Sequence, residues 1–235
     1  MKKEIGIIMA AGLGERMRPL TLKTPKPLVK VFGKPLIETV IEGLLRRGVS
    51  EIYIVVGYQK EQFAYLRETF GNVHLIENPD YDKMNNIASI YAAREVLRTA
   101  DCFICEADLM ILDASVFDKQ FTESGYFGKM VQGYSNDWVF DLQDGYISRV
   151  GKGGTDTYNM AGISYFQQKD ACMLADAVEE AYAKAENAGL FWDEVVDRNL
   201  DKFRLRIFPV EPRQIVEVDT VEELTLLDKT ALEQN

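Results

Sequence analysis

Three stretches of the chain combine residue types and spacings that could do chemistry. The first is the segment 10–20, which reads Ala-Ala-Gly-Leu-Gly-Glu-Arg-Met-Arg-Pro-Leu. Its small residues, with Gly12 and Gly14, let backbone N–H groups approach an anion closely. Arg16 and Arg18 can then place charge-assisted hydrogen bonds on phosphate oxygens. Met17 stands where a dinucleotide G-x-G-x-x-G loop needs its third glycine, and no G-K-[ST] follows, so neither familiar loop accounts for the segment. The same residues also suit a tight strand-to-helix turn with solvated arginines. The second stretch sets Lys26 between Pro25 and Pro27, on a stiff extended run that gives the lysine a defined direction. Taken singly, it reads as a surface lysine. The third feature is a repeated acid pair, Glu106-Ala-Asp108 and Glu217-Val-Asp219. Alternate residues of a strand share a face, so Glu217 and Asp219 can point into one site. Magnesium takes a few carboxylates together with phosphate oxygens and water. Phosphoryl-type transfer needs such a charge, because several negative groups must meet. Either pair alone also reads as a solvated turn; their place at strand ends, beside the glycine loop, favours the metal.

Elements must bring these groups together. An apolar run over 5–9 predicts a first strand. A helix is expected over 35–47, with Leu36, Val40, Ile41, Leu44 and Leu45 on one face and Gly48 beyond its end. A strand over 51–56, a helix over 59–70, a strand over 73–76, a helix over 86–97 and a strand over 101–107 follow. This alternation argues for an α/β fold with a parallel, doubly wound sheet covered by helices. In such sheets ligands bind outside the carboxyl ends of the strands, where Asp108 and the glycine loop both fall. The second half changes character. Short strands are expected over 127–134, 139–142, 146–150 and 159–166, and helices over 171–188 and 191–200. Late strands over 203–209 and 215–218 precede a closing helix over 220–232, with Thr220 as N-cap and Glu223 three residues on. One domain over 1–235 with a β-rich insertion is the economical reading.

Composition narrows the partners. The chain has 235 residues, 47% hydrophobic, with 37 acidic and 27 basic side chains for a net charge of -10. So acidic a surface repels nucleic acid and anionic membrane, and neither is expected as a partner. No run approaches the roughly 20 apolar residues of a membrane span. The N-terminal Met-Lys-Lys-Glu and its short apolar run lead into the charged glycine loop without a cleavage context, so a strand is expected rather than a signal peptide. Three cysteines give no disulfide framework, which suits a reducing cytoplasm. Cys102 and Cys105, three apart on a strand, fall on opposite faces, and with one histidine no zinc site is expected.

Taken together, Gly12-Leu-Gly-Glu-Arg16, Arg18-Pro-Leu20 and Thr24-Pro-Lys-Pro-Leu28 resemble the signature of the sugar-1-phosphate nucleotidyltransferase superfamily. The resemblance implies the nucleotidyltransferase fold: a Rossmann-like, doubly wound, mostly parallel sheet with a small substrate-side β-rich insertion. It implies that Ala10, Ala11, Gly12, Gly14 and Arg16 hold the nucleotide and that Lys26 acts in catalysis beside Arg16 and Asp108. It also implies that aspartates at the two acid pairs bind Mg2+, which here means Asp108 and Asp219, with Glu217 assisting. Along the whole chain the resemblance is closer to bacterial choline-phosphate cytidylyltransferases. Val56-Gly-Tyr58, Lys60-Glu-Gln-Phe63, Asn85-Asn86 with Ser89 and Tyr91, Asn136-Asp-Trp138, Phe191-Trp-Asp193 and Glu217-Val-Asp219 carry it. The implied nucleotide is CTP, its base facing Asn86 and Ser89; Asn85-Asn86 also suits a helix cap. Residues 1–110 would bind the nucleotide and 111–235 the acceptor.

The acceptor is where this chain departs from the choline pattern. A quaternary ammonium is held by aromatic faces. Trp138, in a polar stretch, suits that role, and Phe191, Phe140 and Tyr158 could join it, although aromatics so spaced also suit a core. Yet Phe191 stands where the choline group shows tyrosine, and Asp141 where an apolar residue is expected. Asp193 lies beside Trp192. A primary ammonium prefers carboxylates, so phosphoethanolamine and 2-aminoethylphosphonate rival phosphocholine, and cytidylyltransferases similar to this chain act on that phosphonate. Lys152, in Val150-Gly-Lys-Gly-Gly154, is placed to hold the acceptor phosphate or to serve as a turn lysine. The alternatives are a sugar-1-phosphate nucleotidyltransferase using UTP, GTP or dTTP, and a non-catalytic nucleotide sensor.

Overall fold

A computed structural model describes residues 3–232. Strand β1 (Glu4–Ala10) feeds the glycine loop, three single 3-10 turns and a small ribbon of β2 (Lys30–Val31) and β3 (Lys34–Pro35). Helix α1 (Leu36–Arg47) starts after Pro35 and ends where Gly48 takes φ 85° and donates to the Leu44 and Leu45 carbonyls. Its buried stripe is Leu36, Ile37, Val40, Ile41 and Leu44. Then come β4 (Glu51–Val56), α2 (Tyr65–Phe70), β5 (Val73–Glu77), α3 (Ile87–Ala92), α4 (Arg94–Leu97) and β6 (Asp101–Glu106). The second half runs β7 (Leu109–Ile111), β8 (Gly125–Gln143), β9 (Tyr146–Phe166), α5 (Gln168–Tyr182), α6 (Trp192–Asp197), β10 (Arg206–Pro209), β11 (Ile215–Glu217) and α7 (Val221–Leu232).

Seven strands form one sheet in the order β10-β8-β9-β6-β1-β4-β5. Neighbours β6, β1, β4 and β5 are parallel, as is β10 to β8, while β9 lies antiparallel between β6 and β8. The sheet is therefore mostly parallel and wound on both faces. Ile8, Ile54 and Cys105 pack on one face with α1, and Ile5, Ile7 and Cys102 pack on the other with α3 and α5. The two cysteines are thus divided by the sheet, as the strand period requires. No helix among the described residues is long and apolar enough to cross a membrane.

Several expected elements differ in extent. The helix over 86–97 breaks at Ala93, whose ψ of 1° interrupts α-helical geometry. The helix over 171–188 stops at Tyr182, and a 3-10 turn at Ala185–Asn187 follows. The four short middle strands are two long, bulged ones. Val139 and Phe140 pair on both sides, with Gly151 and Val150 and with Asn159 and Tyr158, so the arm curls back on itself. Polar residues near 133–136 read as a turn because the arm leaves the core there, and no buried face imposes alternation.

One small pairing sets the site. Beside the main sheet, β11 runs antiparallel to β7 with Glu217 opposite Leu109. Val218 N–H donates to the Asp108 carbonyl at 3.1 Å. Two acidic segments over a hundred residues apart are thereby placed side by side. Helix α7 then leaves through the expected capping box: Thr220 Oγ1 accepts from Glu223 N–H, and the Glu223 carboxylate accepts from Thr220 N–H.

Candidate active site

The glycine loop is braced before it meets any ligand. Gly14 takes φ 63°, and a Cβ there would come within 3.0 Å of both Lys26 and Thr21. Thr21 Oγ1 donates to the Gly14 carbonyl at 2.8 Å. From the other side, Tyr58 N–H donates to the Ala11 carbonyl and its hydroxyl to the Thr21 carbonyl. The Gln59 and Gln62 amides reach the Leu22 and Lys23 carbonyls. The 58–63 segment is therefore a clamp on this loop. Ala10, Ala11, Gly12, Gly14 and Arg16 line a cavity of about 530 Å³. Lys26, Asn86, Ser89, Asp108 and Phe191 line it as well.

Lys26 sits in a 3-10 turn rather than an extended run and is only 8% exposed. Its Nζ lies 2.6 Å from Asp108 Oδ2 and 2.6 Å from Asp219 Oδ1. Arg16 grips the other side of Asp219, with contacts of 2.7 and 2.6 Å. Burial acts to lower the Lys26 ammonium, but Asp108 and Asp219 outweigh it and hold the group above its usual value. Burial likewise opposes the Asp219 charge, yet Lys26 and Arg16 bring its carboxyl below the usual range.

Carboxylate oxygens of Glu106, Asp108 and Glu217 all lie within 4.8 Å of one another. Asp108 Oδ1 is buried without a hydrogen-bond partner. Burial, reinforced by Asp108 and Asp219, pushes Glu217 up to about 8. Burial, then Glu217, Asp108 and Asp193, holds Glu106 well above the carboxylate range. Crowded hard oxygen donors that resist ionising together fit a divalent cation. Of the residues expected to bind metal, Asp108 and Glu217 are in this cluster, and Asp219 is beside it, engaged by Lys26 and Arg16. Glu106 was not among the expected ligands. Its signal was available, since it precedes Asp108 by two residues just as Glu217 precedes Asp219.

Elsewhere in the cavity lining, Ser89 is buried and accepts from Asn78 at 3.3 Å. Asn86 Oδ1 accepts from Trp192 N–H at 2.9 Å, so it satisfies the first turn of α6 rather than capping its own helix. Asn78, Tyr81 and Met84 also line the cavity and carry no motif that marks them. Another cation outside the expected set, Lys129, faces Glu217 and Asp137, with burial holding it below its usual value.

The expected acceptor residues separate. Trp138 and Phe191 meet edge to face at 5.3 Å, and Lys152 Nζ lies over both rings. Lys152 borders a neighbouring groove with Trp138 rather than the main cavity. Phe140 and Trp192 are core residues, and Tyr158 packs against the same core. Asp193 is 3% exposed, with Oδ1 unpartnered. With Glu106, Tyr126 and Trp192 it lines a cavity of about 10 Å³. Burial pushes its carboxyl up to about 7, against the pull of the Tyr126 hydroxyl. Asp141 does not reach the site. It is exposed and bound twice by Arg149, at 2.6 and 3.1 Å, because its position on the arm faces solvent.

Residues 6–129 match the MobA-like NTP transferase domain. The chain is 52% identical to the 2-aminoethylphosphonate cytidylyltransferase of Lancefieldella rimae, over 97% of this chain and 93% of that one. It is 35% identical to the choline-phosphate cytidylyltransferase of Streptococcus pneumoniae, over 97% and 99%. The solved CTP:phosphocholine cytidylyltransferase from Streptococcus pneumoniae, LicC, superposes with a TM-score of 0.89 at 34% identity, covering 97% of this chain and 99% of that one. With a nucleotidyltransferase sheet, a braced glycine loop and full-length likeness to cytidylyltransferases, the chain belongs to the MobA-like NTP transferase family and is a nucleotidyltransferase enzyme.

Proposed function

We propose that the chain transfers CMP from CTP to 2-aminoethylphosphonate and releases pyrophosphate. The observation that carries the transfer is that Lys26, which lines the glycine-loop cavity with Asp108, bridges Asp108 and Asp219. A lysine held between two acids, beside N–H groups suited to a triphosphate, is arranged for in-line displacement. A phosphonate oxygen of the acceptor forms a bond to the α-phosphorus. The bond from that phosphorus to the bridging oxygen breaks, and the electron pair leaves with pyrophosphate. A phosphonate anion is nucleophilic near neutral pH, so no protein nucleophile is required; the protein aligns the reactants and offsets charge. Lys26 acts at the reacting phosphorus and Arg16 at the departing pyrophosphate. Asn86 and Ser89 face the cytosine. Glu106, Asp108 and Glu217, with Asp219 adjacent, would hold Mg2+, which when bound neutralises phosphate charge.

Buried carboxylates favour the aminoethyl acceptor. A primary ammonium donates three hydrogen bonds, and Asp193, two residues from the cavity-lining Phe191, has an unpartnered oxygen that the ammonium would reach only if the one-water space it shares with Glu106 opened toward the main cavity. The likeness to the Lancefieldella rimae enzyme supports the same choice. The test is pyrophosphate release with CTP, UTP, GTP and dTTP against 2-aminoethylphosphonate, phosphoethanolamine, phosphocholine and a sugar 1-phosphate. CTP with 2-aminoethylphosphonate should be the fastest pair. A faster rate with a sugar phosphate and another nucleotide would overturn the reading, and CTP binding without pyrophosphate release would indicate a sensor.

A further inference from the structure

The aromatic corner between the main cavity, which Phe191 lines, and the neighbouring groove, which Trp138 lines, already holds a cation, and it belongs to the chain. Trp138 and Phe191 meet with ring centroids 5.3 Å apart at 64°. Lys152 Nζ stands 5.8 Å from the Trp138 centroid and 5.9 Å from that of Phe191. Both distances fall within the roughly 6 Å over which a ring face attracts an ammonium. Register sets this placement, because Lys152 is directly opposite Trp138 in the β8–β9 ladder and opposed residues project on one face. Among the described residues Lys152 makes no ion pair with a carboxylate, so the two rings are its electrostatic partners.

We propose that Lys152 is a specificity-determining residue, whose ammonium fills the Trp138–Phe191 corner and turns away acceptors that carry a quaternary ammonium. This deepens, and rests on, the reading of the chain as a cytidylyltransferase for a small cationic acceptor. A trimethylammonium group donates no hydrogen bonds and depends on aromatic faces. With Lys152 in the corner it would meet a like charge there. A primary ammonium has another option, since it can donate to buried carboxylates such as Asp193. One lysine on the arm thus separates two acceptors of similar size and the same charge by closing the surface that only one of them needs.

The experiment compares the wild type with Lys152→Met, which keeps the stem and removes the charge, and with Lys152→Arg, which restores it. The kcat/KM values for phosphocholine and 2-aminoethylphosphonate are measured with CTP. The ratio of phosphocholine to 2-aminoethylphosphonate should rise about tenfold or more in the Met variant and return toward wild type in the Arg variant. A ratio within twofold of wild type overturns the proposal. An equal loss on both acceptors also overturns it and assigns Lys152 to the acceptor's anion instead. A second measurement is independent of turnover: tetramethylammonium chloride is titrated into each protein against sodium chloride, with Trp138 fluorescence as the readout and Trp138→Phe as the blank. Tighter binding to the Met variant supports the proposal, and unchanged binding overturns it. If the wild type used neither acceptor, the proposed function would fail, while this titration would still decide the role of Lys152.

Discussion

Replacing Asp193 by Asn tests whether a carboxylate is kept buried for the acceptor cation at a cost to stability. Asp193 is 3% exposed with one oxygen unpartnered, and burial raises its carboxyl from 3.8 to about 7. The sign follows from the protons bound. Between those values the folded state holds the proton and the unfolded chain has lost it, so stability falls as pH rises through this window. The full displacement of about 3 pH units corresponds to about 4 kcal/mol above pH 8, of which about 2 to 3 kcal/mol is lost between pH 5 and 8. An asparagine does not titrate. Urea unfolding of both proteins without substrate, at pH 5 and pH 8, should show the variant gaining about 2 kcal/mol on the wild type across the interval. The same variant should need at least tenfold more 2-aminoethylphosphonate for half-maximal rate, with CTP affinity little changed. A stability difference that is constant with pH, or an unaltered acceptor KM, would refute the reasoning.

Lys26→Met should lower turnover by about 10²- to 10³-fold in a pyrophosphate-release assay, because it removes the ammonium that bridges Asp108 and Asp219. Asp108→Ala should abolish nearly all turnover while circular dichroism shows an intact fold, and wild-type turnover would refute its assigned role. Chelation of divalent cations should stop pyrophosphate release. The rise in Tm on adding Mg2+ should grow between pH 6.5 and 8.5, since Glu217, pushed up to about 8, binds a cation only after losing its proton. Differential scanning calorimetry of Glu217→Gln should show that growth largely gone. Gly125→Ala should destabilise by about 2 kcal/mol or more in urea melts, because a Cβ would lie 2.2 Å from the Arg206 carbonyl oxygen and force β10 away from β8.

Local chemistry was enough to read the first half of the fold. Gly48, Gly57 and Gly71 each close a strand or helix where the chain must turn, and the apolar runs between them have the right periods. The strand over 51–56 is met residue for residue by β4, and the helix over 35–47 is met within one residue by α1. The family was legible for a similar reason: the small residues, the arginines and the proline-flanked lysine that carry the resemblance lie close together in the chain, so the signature is local. The bulged arm was less legible, because a ribbon leaving the core has no buried face to impose alternation.

Tertiary structure decided what those residues face. Spacing named Asp108, Glu217 and Asp219, but only the β7–β11 pairing puts the two segments in register, and the burial and crowding of carboxylates that follow raise Glu217 and recruit Glu106. The comparison with the choline pattern likewise left Asp141 and Asp193 as two candidate acids for the acceptor. The fold turned Asp141, on β8, to solvent and an arginine and enclosed Asp193, on α6, beside Tyr126, because the period of a strand or helix says which residues share a face and not which face will be covered. Residue types and their local order thus determined the class of chemistry. Burial and long-range register, which depend on every element packing at once, decided which acids, amides and cations meet.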